Sequence, residues 1–126
     1  MSSLNIPGLN IIVLTEDAER FRGALLLALT HKAGDGEARL FLQLDAVRLL
    51  GAPLPAPQDT SHRAAGLPGL ADLLDEALDN GVTLIACQTG LALAGLSADG
   101  LDPRIATGGL LSFLSTVVPA DRLLTV

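Results

Sequence analysis

Apolar residues in this chain fall into two patterns that alternate along its length. Short unbroken blocks are separated by stretches in which apolar residues recur every three or four positions. The first block, Leu9-Asn10-Ile11-Ile12-Val13-Leu14, is β-branched and mostly apolar, which predicts a strand buried on both faces. Thr15 is placed to cap the following helix, and Glu16 and Asp17 put negative charge in its first turn. Ala18, Phe21, Leu25 and Leu29 follow at steps of three and four and form its inner stripe. His31 and Lys32 lie in its last turn, where cations are favoured, and Gly34 is a stop. Ala38 to Leu44 reads as a second strand.

Four of the seven prolines (Pro53, Pro55, Pro57, Pro68) lie between Gly51 and Gly69, which predicts an irregular loop longer than most connections in compact domains. A loop of this kind is either a functional lid or a solvated insertion, and the residues leave both open. Pro68 suits the first turn of a second helix. Leu70, Leu73, Leu74, Ala77 and Leu78 form its apolar stripe, Asp72, Asp75, Glu76 and Asp79 its wet face, and Gly81 its end. Val82 to Cys87 is a third strand, and a helix runs from about Thr89 to Leu96. After the turn Ser97-Ala98-Asp99-Gly100, Arg104 to Thr107 reads as a short fourth strand. Gly108-Gly109 opens a helix reaching about Val117, and Asp121 to Val126 is a fifth strand. Strands alternating with helices give βαβ units. The expectation is one α/β domain over residues 1–126: a three-layer α/β/α architecture with a five-stranded, mainly parallel sheet of flavodoxin-like form.

Composition narrows the function. Hydrophobic residues make up 49% of 126 residues and charged residues 17%, so the chain folds around a real core and has surface to bury against a partner. A net charge of −6 with 2% aromatic residues disfavours nucleic acid, which needs cations and stacking platforms. With one cysteine and two distant histidines, His31 and His62, no metal-ligand spacing exists, and neither a metal nor a cofactor is expected. No Lys or Arg precedes Arg20 and the first apolar block is too short to span a bilayer, so the expected location is cytoplasmic, with no membrane partner.

The chemistry centres on Cys87. It ends the apolar run Val82-Thr83-Leu84-Ile85-Ala86 and precedes Gln88-Thr89-Gly90, where a helix begins. Unpaired N–H groups and a partial positive charge at a helix start favour thiolate over thiol. In parallel sheets, sites form outside the carboxyl ends of the strands, which is where Cys87 falls. Backbone N–H groups at Gln88 and Thr89, with the Thr89 hydroxyl, are candidate donors to an anionic sulfur. Thr107, Gly108 and Gly109, at the start of another helix, are a second group of donors. The plainer readings are that Cys87 packs in the core and that the glycines permit close helix–strand contact. His31 reads as a surface residue at a helix end. His62 and Arg63 read as solvated loop residues or as a cover for Cys87, and Asp99, Asp102 and Asp121 as turn and cap residues. A flavin phosphate loop is excluded because Thr15-Glu16-Asp17 is acidic and lacks glycine. A phospho-acceptor aspartate is excluded because the third strand ends in Cys87.

From Val82 to Val126 the order of features is specific. An apolar strand ends in Ala86-Cys87, a helix reaches Gly95-Leu96, and a polar turn follows. Then come Gly108-Gly109, an amphipathic helix, and the terminal Ala120-Asp121-Arg122-Leu123-Leu124-Thr125-Val126. This stretch resembles the DsrE/DsrF-like family of sulfur-relay proteins. The resemblance implies a DsrEFH-like fold, assembly into homotrimers or homohexamers, and exchange with protein sulfur donors and acceptors. In the sulfur-relay members the cysteine at this strand end carries sulfur as a persulfide, and Cys87 occupies that position. The chain departs from them in Gln88-Thr89-Gly90 and in having no second cysteine. Three functions follow for test: a sulfur carrier or sulfurtransferase acting through Cys87, a non-catalytic oligomeric interaction module of the same fold, and a small-anion or nucleotide-binding domain.

Overall fold

The computed structural model of the chain describes residues 6–51, 53, 54 and 56–126; Pro55 of the proline-rich loop lies outside the described residues. Five strands, β1 (Leu9–Val13), β2 (Ala38–Leu42), β3 (Thr83–Cys87), β4 (Ala106–Gly108) and β5 (Arg122–Thr125), form one sheet in the order β4-β3-β2-β1-β5. Every pairing is parallel, with Ile11 opposite Leu40 and Leu124, and Ala86 opposite Leu42 and Thr107. The helices are α1 (Ala18–Ala33), α2 (Asp59–Ala64), α3 (Leu70–Asp79), α4 (Gln88–Ala94) and α5 (Leu110–Ser115). The three-layer α/β/α fold read from the sequence is the fold observed, with the flavodoxin strand order 2-1-3-4-5 replaced by a different connectivity.

All five residues of β1 are buried, as a strand covered on both faces requires. On one face Leu9 and Leu124 lie beside Leu26 and Leu27 of α1, and α1 packs in turn on α3. The inner stripe of α3 is buried at all five expected positions, Leu70, Leu73, Leu74, Ala77 and Leu78. On the other face α5 sets Phe113 against Phe41, with ring centroids 5.3 Å apart, and Arg39 stacks its guanidinium 4.3 Å from the centre of the Phe113 ring. Phe41 is fully buried and Phe113 nearly so, each contributing about 1.5–3 kcal/mol of transfer free energy.

Several local expectations shift. Asp17 rather than Thr15 caps α1: its Oδ2 accepts the Arg20 N–H at 3.1 Å, while Thr15 Oγ1 accepts the Asp17 N–H at 3.0 Å. The second strand stops at Leu42, because Leu44 adopts φ 51 and turns the chain into a 3-10 helix over Leu44–Leu50 that periodicity did not reveal. Pro68 stands one residue before the cap of α3, which is Gly69. The fourth strand starts at Ala106 rather than Arg104, because Arg104 is drawn onto Asp75, Asp79 and Asp102 at 2.6, 2.6 and 2.7 Å. The last helix ends at Ser115, where Arg39 donates to the Phe113 carbonyl and to Thr116 Oγ1 at 3.3 and 2.7 Å. No helix among the described residues is long and apolar enough to cross a membrane.

Candidate functional site

The connectivity itself selects a place for a site. β1, β2 and β3 each feed the next strand in one direction along the sheet, whereas β4 returns across it to β5 on the far side of β1. Right-handed crossovers running in opposite directions lie on opposite faces. β3 and β4 are therefore the adjacent strands whose onward helices part to the two faces. The crevice at their carboxyl ends is the switch point where ligands settle in open α/β sheets. Cys87 ends β3 and Gly108 ends β4, and the two are register partners.

Cys87 is both the last residue of β3 and the cap of α4, with φ −64 and ψ 121. Its Sγ accepts the Gly90 N–H at 3.4 Å, and the residue is 6% exposed. The donor to sulfur is thus Gly90, one turn into the helix. Gln88 and Thr89 are exposed at the rim. Glycine is required at 90 for steric reasons. A Cβ there would overlap the Leu44 carbonyl oxygen and lie 2.9 Å from the Leu44 Cα. Leu44 is itself in the left-handed region, a conformation costing a non-glycine residue roughly 1–2 kcal/mol. The α4 start and the Leu44 corner are thus pressed backbone to backbone beside the sulfur.

Thr107, Gly108 and Gly109 line a cavity of about 180 Å³ between β4 and α5, walled by Arg39, Ile85, Ser112 and Phe113. Cys87 is next to this cavity through the backbone pairing with Gly108 but does not line it. A Cβ on Gly108 would meet Ile85 Cγ2 at 3.3 Å, so close strand packing accounts for part of the glycine pair. Burial pushes the Arg39 guanidinium below its ordinary value against the opposing pull of Asp121. Among the described residues no three His, Cys, Asp or Glu side chains converge to hold a metal ion.

The remaining candidates are placed elsewhere. His62 Nε2 lies 2.8 Å from Glu19 Oε1 on α1, and Arg63 is 3.7 Å from Asp59 within its own helix, so neither pairs with the Cys87 site. His31 Nε2 lies 2.8 Å from the Pro7 carbonyl at the end of α1. Asp121 accepts the N–H groups of Gly8 and Val118, which holds its carboxyl below the usual range, and it is a turn residue as read. Side-chain hydrogen bonds from Arg104 hold Asp102 at about 2. Arg22 escaped sequence reading. It is 3% exposed on α1, and its position four residues after Ala18 and three before Leu25 puts it on the inner stripe, which is the available signal.

No family model matches the chain, and no curated protein matches it. Solved structures do. A protein of unknown function from Methanobacterium thermoautotrophicum, MTH1491, superposes with a TM-score of 0.68 at 13% identity, covering 96% of this chain and 100% of that one. The YchN protein of E. coli superposes with a TM-score of 0.72 at 20% identity, covering 96% of this chain and 100% of that one. Both have the DsrE-like fold, and at these identities the likeness is one of fold.

Proposed function

We propose that the chain is a cytoplasmic sulfur carrier of the DsrE/DsrF type that passes sulfane sulfur through Cys87. The observation that carries the reading is the position of this one thiol, at the β3–β4 switch point with a backbone N–H directed at its sulfur. In the proposed step the Cys87 thiolate attacks the outer sulfur of a donor persulfide. A new S–S bond forms to Cys87, the donor's S–S bond breaks, and the donor leaves as thiolate. An acceptor thiolate then attacks the outer sulfur of the Cys87 persulfide, and Cys87 leaves as thiolate, so neither half needs an external oxidant or reductant. Gly90 N–H, with Gln88 and Thr89 at the rim, would hold the charge on sulfur. Thr107, Gly108 and Gly109 would form the neighbouring wall where the acceptor enters. Transfer of labelled sulfur from a small persulfide to an acceptor thiol tests this. The wild type accelerates it and Cys87→Ala does not, and equal rates would refute the reading.

The partners proposed are protein sulfur donors and acceptors and further copies of this chain, as a homotrimer or homohexamer. An apolar groove of about 700 Å³ supports self-association. It runs between α1 and β5, lined by Leu26, Leu27 and Leu124, with Arg122 and His31 its only ionisable groups among the described residues. Leu26, Leu27, Leu123 and Leu124 stay 39–49% exposed. β5 is an edge strand: Arg122 and Val126 donate to the Gly8 and Ile12 carbonyls, so the Leu123 and Thr125 backbone groups face outward. Light scattering at micromolar concentration is expected to give a multimer that Leu26→Lys dissociates. A wild-type monomer would refute it.

A second reading rests on the burial of Cys87. At 6% exposure within the hydrophobic core, the thiol would pack rather than react, and the chain would be an interaction module. Alkylation of the native protein separates the two: a thiol modified only after unfolding favours packing.

A further inference from the structure

The helix α2 has no buried residue, so apolar burial does not attach it to the domain. It is attached through two neighbouring side chains of α1, Arg22 and Glu19, of which Arg22 is the buried one. Arg22, 3% exposed, donates from Nη2 to Asp59 Oδ1 at 2.6 Å, from Nη1 to the Pro68 carbonyl at 3.2 Å, and from Nε to Glu19 Oε2 at 2.8 Å. Glu19 in turn holds His62 through its other oxygen. Asp59 Oδ1 also accepts the Leu70 N–H at 2.9 Å, so a carboxylate from α2 caps α3, whose own cap residue, Gly69, has no side chain. A Cβ at Gly69 would press on the Arg63 guanidinium and stand 2.8 Å from Asp59 Oδ2, so a larger residue there would displace these side chains.

The flank after α2 is exposed at every residue from 65 to 68. Gly66 at φ 81 follows α2, and Pro57 and Gln58 precede it across a cavity of about 240 Å³ from Glu16, Asp17 and Glu19. Both α1 and α3 begin at the carboxyl edge of the parallel sheet, so the contacts of α2 lie along the same edge as Cys87. Few apolar contacts and a polar anchor mark a segment of low local stability. A buried guanidinium that loses its carboxylate is costly, which favours closed over half-open states.

We propose that residues 57–68 form a strap that opens and closes as one unit over the carboxyl edge of the sheet, with Arg22 as its latch. Closing satisfies Arg22 and caps α3 in one step. Opening frees the first turns of α1 and α3 together and leaves the sheet intact.

Hydrogen exchange read by mass spectrometry on the full chain tests this, with trypsin cleavage after Arg63 as a second readout. In wild type, peptides covering 57–68 exchange together and well ahead of β1, β2 and β3. In Arg22→Met they exchange about tenfold faster or more, with the strand peptides unchanged and cleavage after Arg63 accelerated alike. Asp59→Asn keeps the shape and an acceptor for Leu70 while removing the charge. It carries the test if Arg22→Met does not fold, and it moves the same peptides in the same direction. Strap and strand peptides accelerating together in Asp59→Asn would overturn the proposal, as would no change in 57–68 in both variants.

Discussion

Gly90 and Gly23 are both helical glycines, yet their replacement by alanine has opposite predicted signs. At Gly23, exposed in the middle of α1, an added Cβ meets nothing within 4 Å. The gain there is helix propensity alone, about 0.5–1 kcal/mol. At Gly90 the Cβ runs into the Leu44 carbonyl oxygen, with the Leu44 Cα at 2.9 Å and its carbonyl carbon at 3.0 Å. These are backbone atoms of a residue already held at φ 51, so no side chain can rotate away. Overpacking of this kind costs roughly 1–3 kcal/mol. Taking the middle of each range, about 2 kcal/mol of overpacking less about 0.75 of propensity leaves Gly90→Ala destabilised by about 1.3 kcal/mol. For a chain of this size that is a melting shift of roughly 3–8 °C downward, against a few degrees upward for Gly23→Ala. Urea and thermal unfolding of the two variants measure it, and the α4 start should loosen around Cys87, so native alkylation of the thiol speeds up in Gly90→Ala. A Gly90→Ala protein as stable as Gly23→Ala would refute the close packing of α4 on the Leu44 corner.

Hydrogen bonding from Arg22 is the leading cause that lowers both Glu19 and Asp59, aided by His62 at Glu19 and by the Leu70 N–H and Arg63 at Asp59. A lowered folded value gives stability that is present above the ordinary carboxylate range and lost as pH falls through the folded value. Protection of 57–68 should therefore fall below about pH 4 in wild type, and less steeply in Asp59→Asn, as hydrogen exchange at several pH values would show. Carbon-detected NMR titration should find Asp102 near 2, returning toward the ordinary aspartate range in Arg104→Gln. Arg39→Ala removes donors to the Phe113 carbonyl, Thr116 and Asn10, and is expected to lower stability in urea by about 1–3 kcal/mol. A change under half of that would mean water replaces the guanidinium without loss.

The central strands were legible because they are largely buried on both faces, so Leu9–Val13, interrupted only by Asn10, and Leu84–Cys87 read as apolar runs. The inner face of α3 was legible for the complementary reason: its stripe is strictly periodic and its other face is acidic. Three features were not. The 3-10 helix at Leu44–Leu50 depends on a left-handed leucine, a conformation no leucine advertises. The latch depends on pairing Arg22 with Asp59, 37 residues away, which local spacing cannot show. The need for glycine at 90 depends on Leu44 lying against it, so the sequence offered Gly90 only as part of a helix start. Cys87 was found because a strand end and a helix start meet there. The partner it faces across the crevice, Gly108, follows from strand register.

Intact-protein mass spectrometry of wild type and Cys87→Ser, each incubated with a cysteine desulfurase and cysteine, tests sulfur carriage most directly. The account predicts a gain of one sulfur atom in wild type, removed by reductant and absent from Cys87→Ser. No gain in wild type with several donors, together with a thiol that alkylates only after unfolding, would contradict it.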